Sequence, residues 1–276
     1  MEKELERFEK AFAAEMASDV VPMDAMLRYV SAVRGKRLRP QLVFLSARLL
    51  GEVNDMTRRT ALFVELFHTA TLIHDDVVDG SDTRRGQASL NARFDSRSAV
   101  LAGDYLLAKA LSKLSAPSDH EVLREMLAVA MSMSEGELLQ SASPSGDASS
   151  VTAESLQPTA SPSGDASSVT YMEVIERKTA RLIRACCVGG ALSVHASSDA
   201  INTLGEFGLN LGLVFQMRDD ILDNDDPMAA ALARQLLPEY LGKALKALDA
   251  LTPFIKDKDA QDALRELTLF CAERNH

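Results

Sequence analysis

The chain has 276 residues, 46% of them hydrophobic but only 5% aromatic and none tryptophan, so aliphatic side chains and eleven methionines must fill its core. A formal charge of −10 argues against nucleic-acid binding through a broad basic surface. Cys186, Cys187 and Cys271 lack zinc-ligand or secreted-framework spacing, and no apolar run approaches membrane-spanning length, so reduced thiols and a soluble, cytoplasmic protein without a membrane span are expected.

Leu5, Phe8 and Phe12 recur at helical spacing, and Pro22 starts a second helix carrying Met26, Leu27 and Val30, which Gly35 ends. The loop GKRLRP at 35–40 concentrates Lys36, Arg37 and Arg39 before Pro40 opens the next helix. Asp55 can cap the long helix that enters HTATLIHDDVVDGSDTRRG at 68–86. Ser81 to Leu90 reads as a loop, followed by a helix near Arg97–Leu114. Ser118 and Glu121 have the spacing of a capping box for the helix that ends at EGELLQ, 135–140. The string ASPSGDASSVT then occurs twice, at 142–152 and 160–170. It is polar and carries no core residues, so it reads as a duplication within one surface loop, with disorder expected over 141–169. Thr170 and Glu173 form a second capping box, before VIERKTARLI. That helix leads into the small, apolar CCVGGALSVHA. Ser197 or Ser198 caps the helix that passes Gln216 to QMRDDILD. Asn224 to Pro227 reads as a stop and a new start. Helical patterns around Leu232–Leu251 and Ala260–Cys271 follow, broken at Thr252–Pro253.

The chemistry concentrates in two acidic triplets of identical spacing, Asp75, Asp76, Asp79 and Asp219, Asp220, Asp223. On a helix, the first and last members of a triplet share one face a turn apart and repel each other. A divalent cation resolves that repulsion. Mg²⁺ prefers oxygen ligands and keeps several waters, so one or two carboxylates suffice and a phosphate can supply the rest. If the two helices face each other, six carboxylates line one cavity, which requires several metal ions. Arg84 and Arg85 carry the guanidinium forks that suit phosphate oxygens. His68 lies two turns before Asp75 on roughly the same face, whereas His74 reads as structural.

GKRLRP, HTATLIHDDVVDGSDTRRG, EGELLQ, KTA at 178–180 and FQMRDDILD at 215–223 together resemble, in order, the trans-isoprenyl diphosphate synthases or polyprenyl synthetases. These are all-α prenyltransferases that condense an allylic diphosphate with isopentenyl diphosphate. The resemblance implies one all-α domain over 1–276, a helical bundle of the isoprenoid synthase fold around a deep apolar cavity, assembled as a homodimer. It implies Mg²⁺ at Asp75, Asp79, Asp219 and Asp223, clamping an allylic diphosphate such as farnesyl or geranyl diphosphate. The reaction machinery it implies is Asp75, Asp76, Asp79, Lys178, Asp219 and Asp220. Lys36, Arg39, His68 and Arg85 match residues for isopentenyl diphosphate; Arg84, Lys178, Thr179 and Gln216 match residues on the allylic side. After Asp223 the chain departs from the family, lacking the expected lysine- and glycine-bearing loop and the helical stretch behind it. A terpene cyclase of related fold would not need Lys36, Arg39 and His68, and a metal-dependent hydrolase gains nothing from a long apolar helix. A non-catalytic or weakly active partner subunit would not need two intact acidic triplets.

Thr71 and Ala70 stand four and five residues before Asp75, along the wall that a growing tail must pass. Neither is bulky, so the path is open to Phe67 or Leu66, with Met131 and Met133 expected on facing helices. Long-chain members of the family share this small-residue pattern, which implies a product longer than farnesyl, such as an octaprenyl chain. Burial of each further CH₂ is favourable by about 0.8 kcal/mol. Ala70→Phe should therefore shorten the product, read by chromatography of the chains made with excess isopentenyl diphosphate; an unchanged length distribution would refute the open wall.

Overall fold

The computed structural model describes residues 1–33, 35–141 and 166–274, the side chains of 141 and 166–170 excepted. The duplicated stretch from 142 to 165, and with it most of the expected disordered loop, lies outside the described residues. Contacts divide the chain into two units, Met1–Leu123 with Gly189–Ala196, and Arg124–Val188 with Ser197–His276.

In the first unit, α1 (Glu2–Glu15) buries Phe8 and Phe12, stacked 5.8 Å apart. α2 (Val21–Ser31) has Pro22 in its first turn and stops at Ser31, ahead of the expected Gly35. α3 (Leu38–Leu50) begins two residues before Pro40, with Arg37 at its N-cap in the left-handed conformation, φ 55°. Nearly every side chain of α3 from Leu42 to Leu50 is buried, as suits a helix apolar all round. α4 (Asp55–Val78) is capped by Asn54 rather than Asp55. Asn54 Oδ1 accepts from the Thr57 amide at 3.0 Å, and Thr57 Oγ1 accepts from the Asn54 amide at 3.2 Å. Asp55 lies in the first turn, where the helix dipole favours an acid. Asn54 Nδ2 also donates to Ser193 O at 2.7 Å, fastening the 189–196 stretch to the start of α4.

The expected loop after α4 is a hairpin. β1 (Thr83–Arg84) pairs with β2 (Gln87–Ala88) through a two-residue turn in which Arg85 and Gly86 both have positive φ, 52° and 77°. Such turns match the twist of the strands they join. Ser89 then caps α5 (Leu90–Arg93), and Asp95 caps α6 (Ser96–Lys113). The buried small residues Ala99, Ala102, Gly103 and Ala110 let α6 lie close along α4. Ser118 sits in a 3₁₀ turn, Pro117–Asp119, and donates to Asp119 Oδ1 at 3.2 Å, a different role from the expected capping box.

The second unit takes in most of α7 (His120–Ser141), then α8 (Ala166–Ile175), a π-helical turn at Glu176–Ala180, α9 (Arg181–Ser193) up to Val188, and α10 (Ser198–Asp223). α8 starts four residues before Thr170, so Thr170 lies inside a helix instead of capping it. Ser197 is the cap of α10. Asn224, left-handed at φ 51°, ends α10, and Asp226 Oδ1 accepts from the Met228 and Ala229 amides to open α11 (Pro227–Ala250). α12 (Lys258–Glu273) follows a 3₁₀ turn at Thr252–Phe254, where the pattern breaks. α10 packs against α11, α12 and the π-helical turn, around a core of Ile175, Ala180, Leu213, Met217 and Ala233. Met131 is 64% exposed. Cys186, Cys187 and Cys271 are buried and form no disulfide among the described residues. Among the described residues no helix is long and apolar enough to cross a membrane.

Gly212 is where α10 meets the π-helical turn most tightly: a Cβ there would fall 2.5 Å from Ala180 Cα. Backbone cannot yield as a flexible side chain can. Gly212→Ala should therefore cost about 1–3 kcal/mol in urea unfolding. Gly242, exposed in α11 with nothing within 4 Å of such a Cβ, is the control. Gly242→Ala should be neutral or stabilising by up to about 1 kcal/mol.

Candidate active site

α4 delivers the first acidic triplet at its end. Asp75 and Asp76 occupy the last turn, and the Asp79 amide donates to Asp75 O at 2.8 Å, so Asp75 and Asp79 stand one turn apart. The three are not equivalent. Asp76 is 3% exposed and accepts from Arg84 Nε at 2.8 Å and from Arg84 Nη2. Asp75 is half-buried and Asp79 exposed. Asp76, expected in the reaction machinery, here anchors the hairpin, and Arg84 is held by Asp76.

Beside this cluster the first unit forms a half-open cavity of about 90 Å³. Arg37, His68, Asp76, Arg84 and Arg85 face it along with apolar Phe12, Leu72, Ile73 and Leu90. Arg37 is held by Glu9 at 3.1 Å and Glu65 at 2.6 Å and lies 4.4 Å over the Phe12 ring, so it braces the basic loop. Lys36 is exposed and Arg39 half-buried. Burial, followed by the charges of Arg39, Arg85 and Arg84, pushes the His68 imidazole well below its usual pKa, which keeps it neutral. Its Nδ1 has no hydrogen-bond partner among the described residues. Residues from the first turn of α3 and from the hairpin thus surround one neutral imidazole of α4 with positive charge. His74 instead lies 3.3 Å from Val100 O and from Asp104 Oδ1, braced against α6 as a structural residue would be.

The second triplet ends α10. Asp220 accepts from Tyr171 Oη at 2.6 Å and from Gln216 Nε2 at 2.9 Å, so both of its oxygens are engaged. Thr179 Oγ1 donates to Gln216 Oε1 at 2.7 Å, joining the KTA segment to Asp220 through Gln216. Asp219 accepts from Arg274 Nη2 at 2.5 Å, and Asp223 is exposed. Burial raises the pKa of both Asp219 and Asp220; Arg274 opposes the rise at Asp219, while Tyr171 and Gln216 oppose it at Asp220. Burial, reinforced by Asp220, also pushes the Tyr171 phenol upward. Lys178 Nζ is bonded to Glu137 and to Gln140, each at 2.6 Å, so the EGELLQ and KTA segments meet through it. The π-helical turn that holds Lys178 and Thr179 is a feature common at functional sites.

Sequence reasoning missed Tyr171 and Arg274. Tyr171 could have been suspected, since it precedes Lys178 by two helical turns, but nothing in the pattern marks Arg274, 55 residues from its partner. The two triplets offer hard oxygen donors of the kind that divalent cations take. Among the described residues no group of three or more His, Cys, Asp or Glu is placed to hold a metal by itself.

A family model described as Polyprenyl synthetase matches residues 21–230. Octaprenyl diphosphate synthase of Escherichia coli K12 is 34% identical over 213 residues, 77% of this chain. The chain spans 61% of that relative's length. A polyprenyl synthase from Caulobacter crescentus, solved with calcium and isoprenyl diphosphate, is 28% identical with a TM-score of 0.80, covering 100% of this chain and 96% of that one. A decaprenyl diphosphate synthase from Rhodobacter capsulatus is 25% identical with a TM-score of 0.82, covering 99% and 97%. The fold is therefore the all-α isoprenoid synthase fold.

The lowered His68 pKa has a stability consequence. As pH falls through 6.5 the unfolded imidazole takes up a proton that the folded one refuses, so stability is lost on acidification. The raised Asp219 and Asp220 act in the opposite sense and are common to wild type and variant. Urea midpoints between about pH 7 and 5 should fall less steeply for His68→Gln than for wild type; parallel curves would show that His68 titrates normally.

Proposed function

This chain belongs to the polyprenyl synthetase family, and we propose that it condenses isopentenyl diphosphate with an allylic diphosphate in Mg²⁺-dependent, head-to-tail elongation. The observation that carries this reading is the convergence of Arg39, Arg84 and Arg85 on neutral His68, in the helix that ends in Asp75 and Asp79. A neutral imidazole can donate a hydrogen bond to a phosphate oxygen, while the guanidinium groups supply the charge.

In this reading Lys36, Arg39, His68 and Arg85 hold the isopentenyl diphosphate. Arg84, fixed by Asp76, presents its remaining donors to the allylic diphosphate. Asp75, Asp79, Asp219 and Asp223 would hold the Mg²⁺ ions. Bound there, Mg²⁺ supplies Lewis-acid stabilisation of the departing diphosphate. Thr179 and Gln216 hold the Asp220 carboxylate in place. Fixing both substrates lowers the entropic cost of joining them. Lys178 reaches the allylic diphosphate by giving up one of its bonds to Glu137 and Gln140. The similarity to octaprenyl and decaprenyl diphosphate synthases supports a product longer than farnesyl, whereas Ala70, 1% exposed, is packed in the core and lines no open wall. The family resemblance supports a homodimer at work in the cytoplasm.

A second reading, a partner subunit that tunes another synthase, draws on the direct passage from Asp223 through Asn224–Asp226 into α11, without the family's lysine-bearing loop. Incubation with Mg²⁺, farnesyl diphosphate and isopentenyl diphosphate separates the two. Chains longer than farnesyl support the synthase, whereas no product from a folded protein supports the subunit. Asp75→Ala should lower turnover by ~100-fold or more, since metal stabilisation of the leaving group is worth several kcal/mol. Its melting temperature should hold or rise as repulsion is relieved; near-wild-type turnover would exclude the metal role of Asp75.

A further inference from the structure

Arg274, the residue just past α12, is among the more deeply enclosed cations of the second unit, with 11% of its side chain exposed. Its Nη2 donates to Asp219 Oδ1 at 2.5 Å and to Phe215 O at 3.1 Å. Its guanidinium lies 4.3 Å over the Phe215 ring, and its own carbonyl accepts from Arg218 Nε at 2.7 Å. Contacts with Phe215 and Asp219, one turn apart on α10, fix where this guanidinium can be, and Arg218 holds its backbone. Its buried Nε has no partner among the described residues, so the placement is not one that satisfies every donor of the arginine. What the placement does satisfy is Asp219. One carboxylate oxygen is engaged, and Oδ2 makes no hydrogen bond among the described residues.

From this geometry we infer that Arg274 is a positioning residue for the second acidic triplet, holding Asp219 by Oδ1 so that Oδ2 is presented to a divalent cation and its diphosphate. The inference rests on the synthase reading above. The physical reason is that a carboxylate beside Asp220 and Asp223 is repelled by both, and left alone it would rotate away from them. A guanidinium stacked on Phe215 counters that repulsion from one side. Partners that orient a metal ligand in this way commonly matter ~10–100-fold in metal affinity.

The test is calorimetric titration of Mg²⁺, with and without inorganic diphosphate, into the full chain and its variants, with thermal melting as a check on folding. Arg274→Ala should bind Mg²⁺ with diphosphate ~10–100-fold more weakly than wild type. Arg274→Lys keeps the charge but not the fork, and should recover part of the loss. If the alanine variant does not fold, Arg274→Lys carries the test, and a lysine variant that binds as tightly as wild type overturns the inference. Tighter Mg²⁺ binding in Arg274→Ala would make Arg274 a competitor of the metal and also overturn it. A lowered melting temperature with unchanged Mg²⁺ affinity would reduce Arg274 to a structural brace, a third way to overturn it. A folded wild type that binds neither Mg²⁺ nor diphosphate would defeat the synthase reading itself, an outcome distinct from the other three.

Discussion

In each acidic triplet an arginine from elsewhere in its own unit claims one carboxylate: Arg84 takes Asp76, and Arg274 takes Asp219. Carboxylates this close on a helix repel, and withdrawal from water adds to the cost unless each is paired. The surrounding architecture follows from meeting that demand. The first pairing pulls a two-stranded hairpin against the end of α4. The second ties the residue after α12 to α10. Loss of either arginine would leave a partly buried charge uncompensated.

The same constraint explains His68. Three arginines gathered near one imidazole would be costly if that imidazole were charged, and burial already disfavours the cation. Neutrality at His68 is thus what makes a dense positive field tolerable beside an apolar cavity. Arg37 shows the contrasting solution. It is equally basic, but Glu9, Glu65 and the Phe12 ring neutralise and cover it, so it braces the segment that joins Lys36 to the first turn of α3. Arg37 is thereby committed to Glu9, Glu65 and Phe12 rather than to the cavity.

In the second unit, close backbone approach does comparable work. Gly212 admits the π-helical turn against α10, bringing Thr179 within 2.7 Å of Gln216. A chain of hydrogen bonds then runs Thr179–Gln216–Asp220–Tyr171, so the conformation of the KTA segment and the aim of Asp220 are one structural fact.

The amino-acid sequence by itself determined the helical elements, since apolar periodicity, proline starts and polar caps are local properties; a helix stops and another starts within Asn224–Pro227 as read, and of the two serines offered as the cap of α10 it is Ser197 that serves. It also determined the family and both triplets, because their spacing needs no knowledge of the fold. Local rules erred by a few residues where equivalent caps compete, as at Asn54 against Asp55, and where a Gly-containing turn could close a hairpin within a loop. What only the tertiary structure decided is which partners the carboxylates of each triplet meet. Asp75, Asp76 and Asp79 are the same residue type in one string. Asp76 alone turns inward to meet Arg84, and Asp219 meets an arginine 55 residues away. Pairing of that kind depends on which surfaces packing brings together, and no local periodicity encodes a contact between side chains so far apart in the chain.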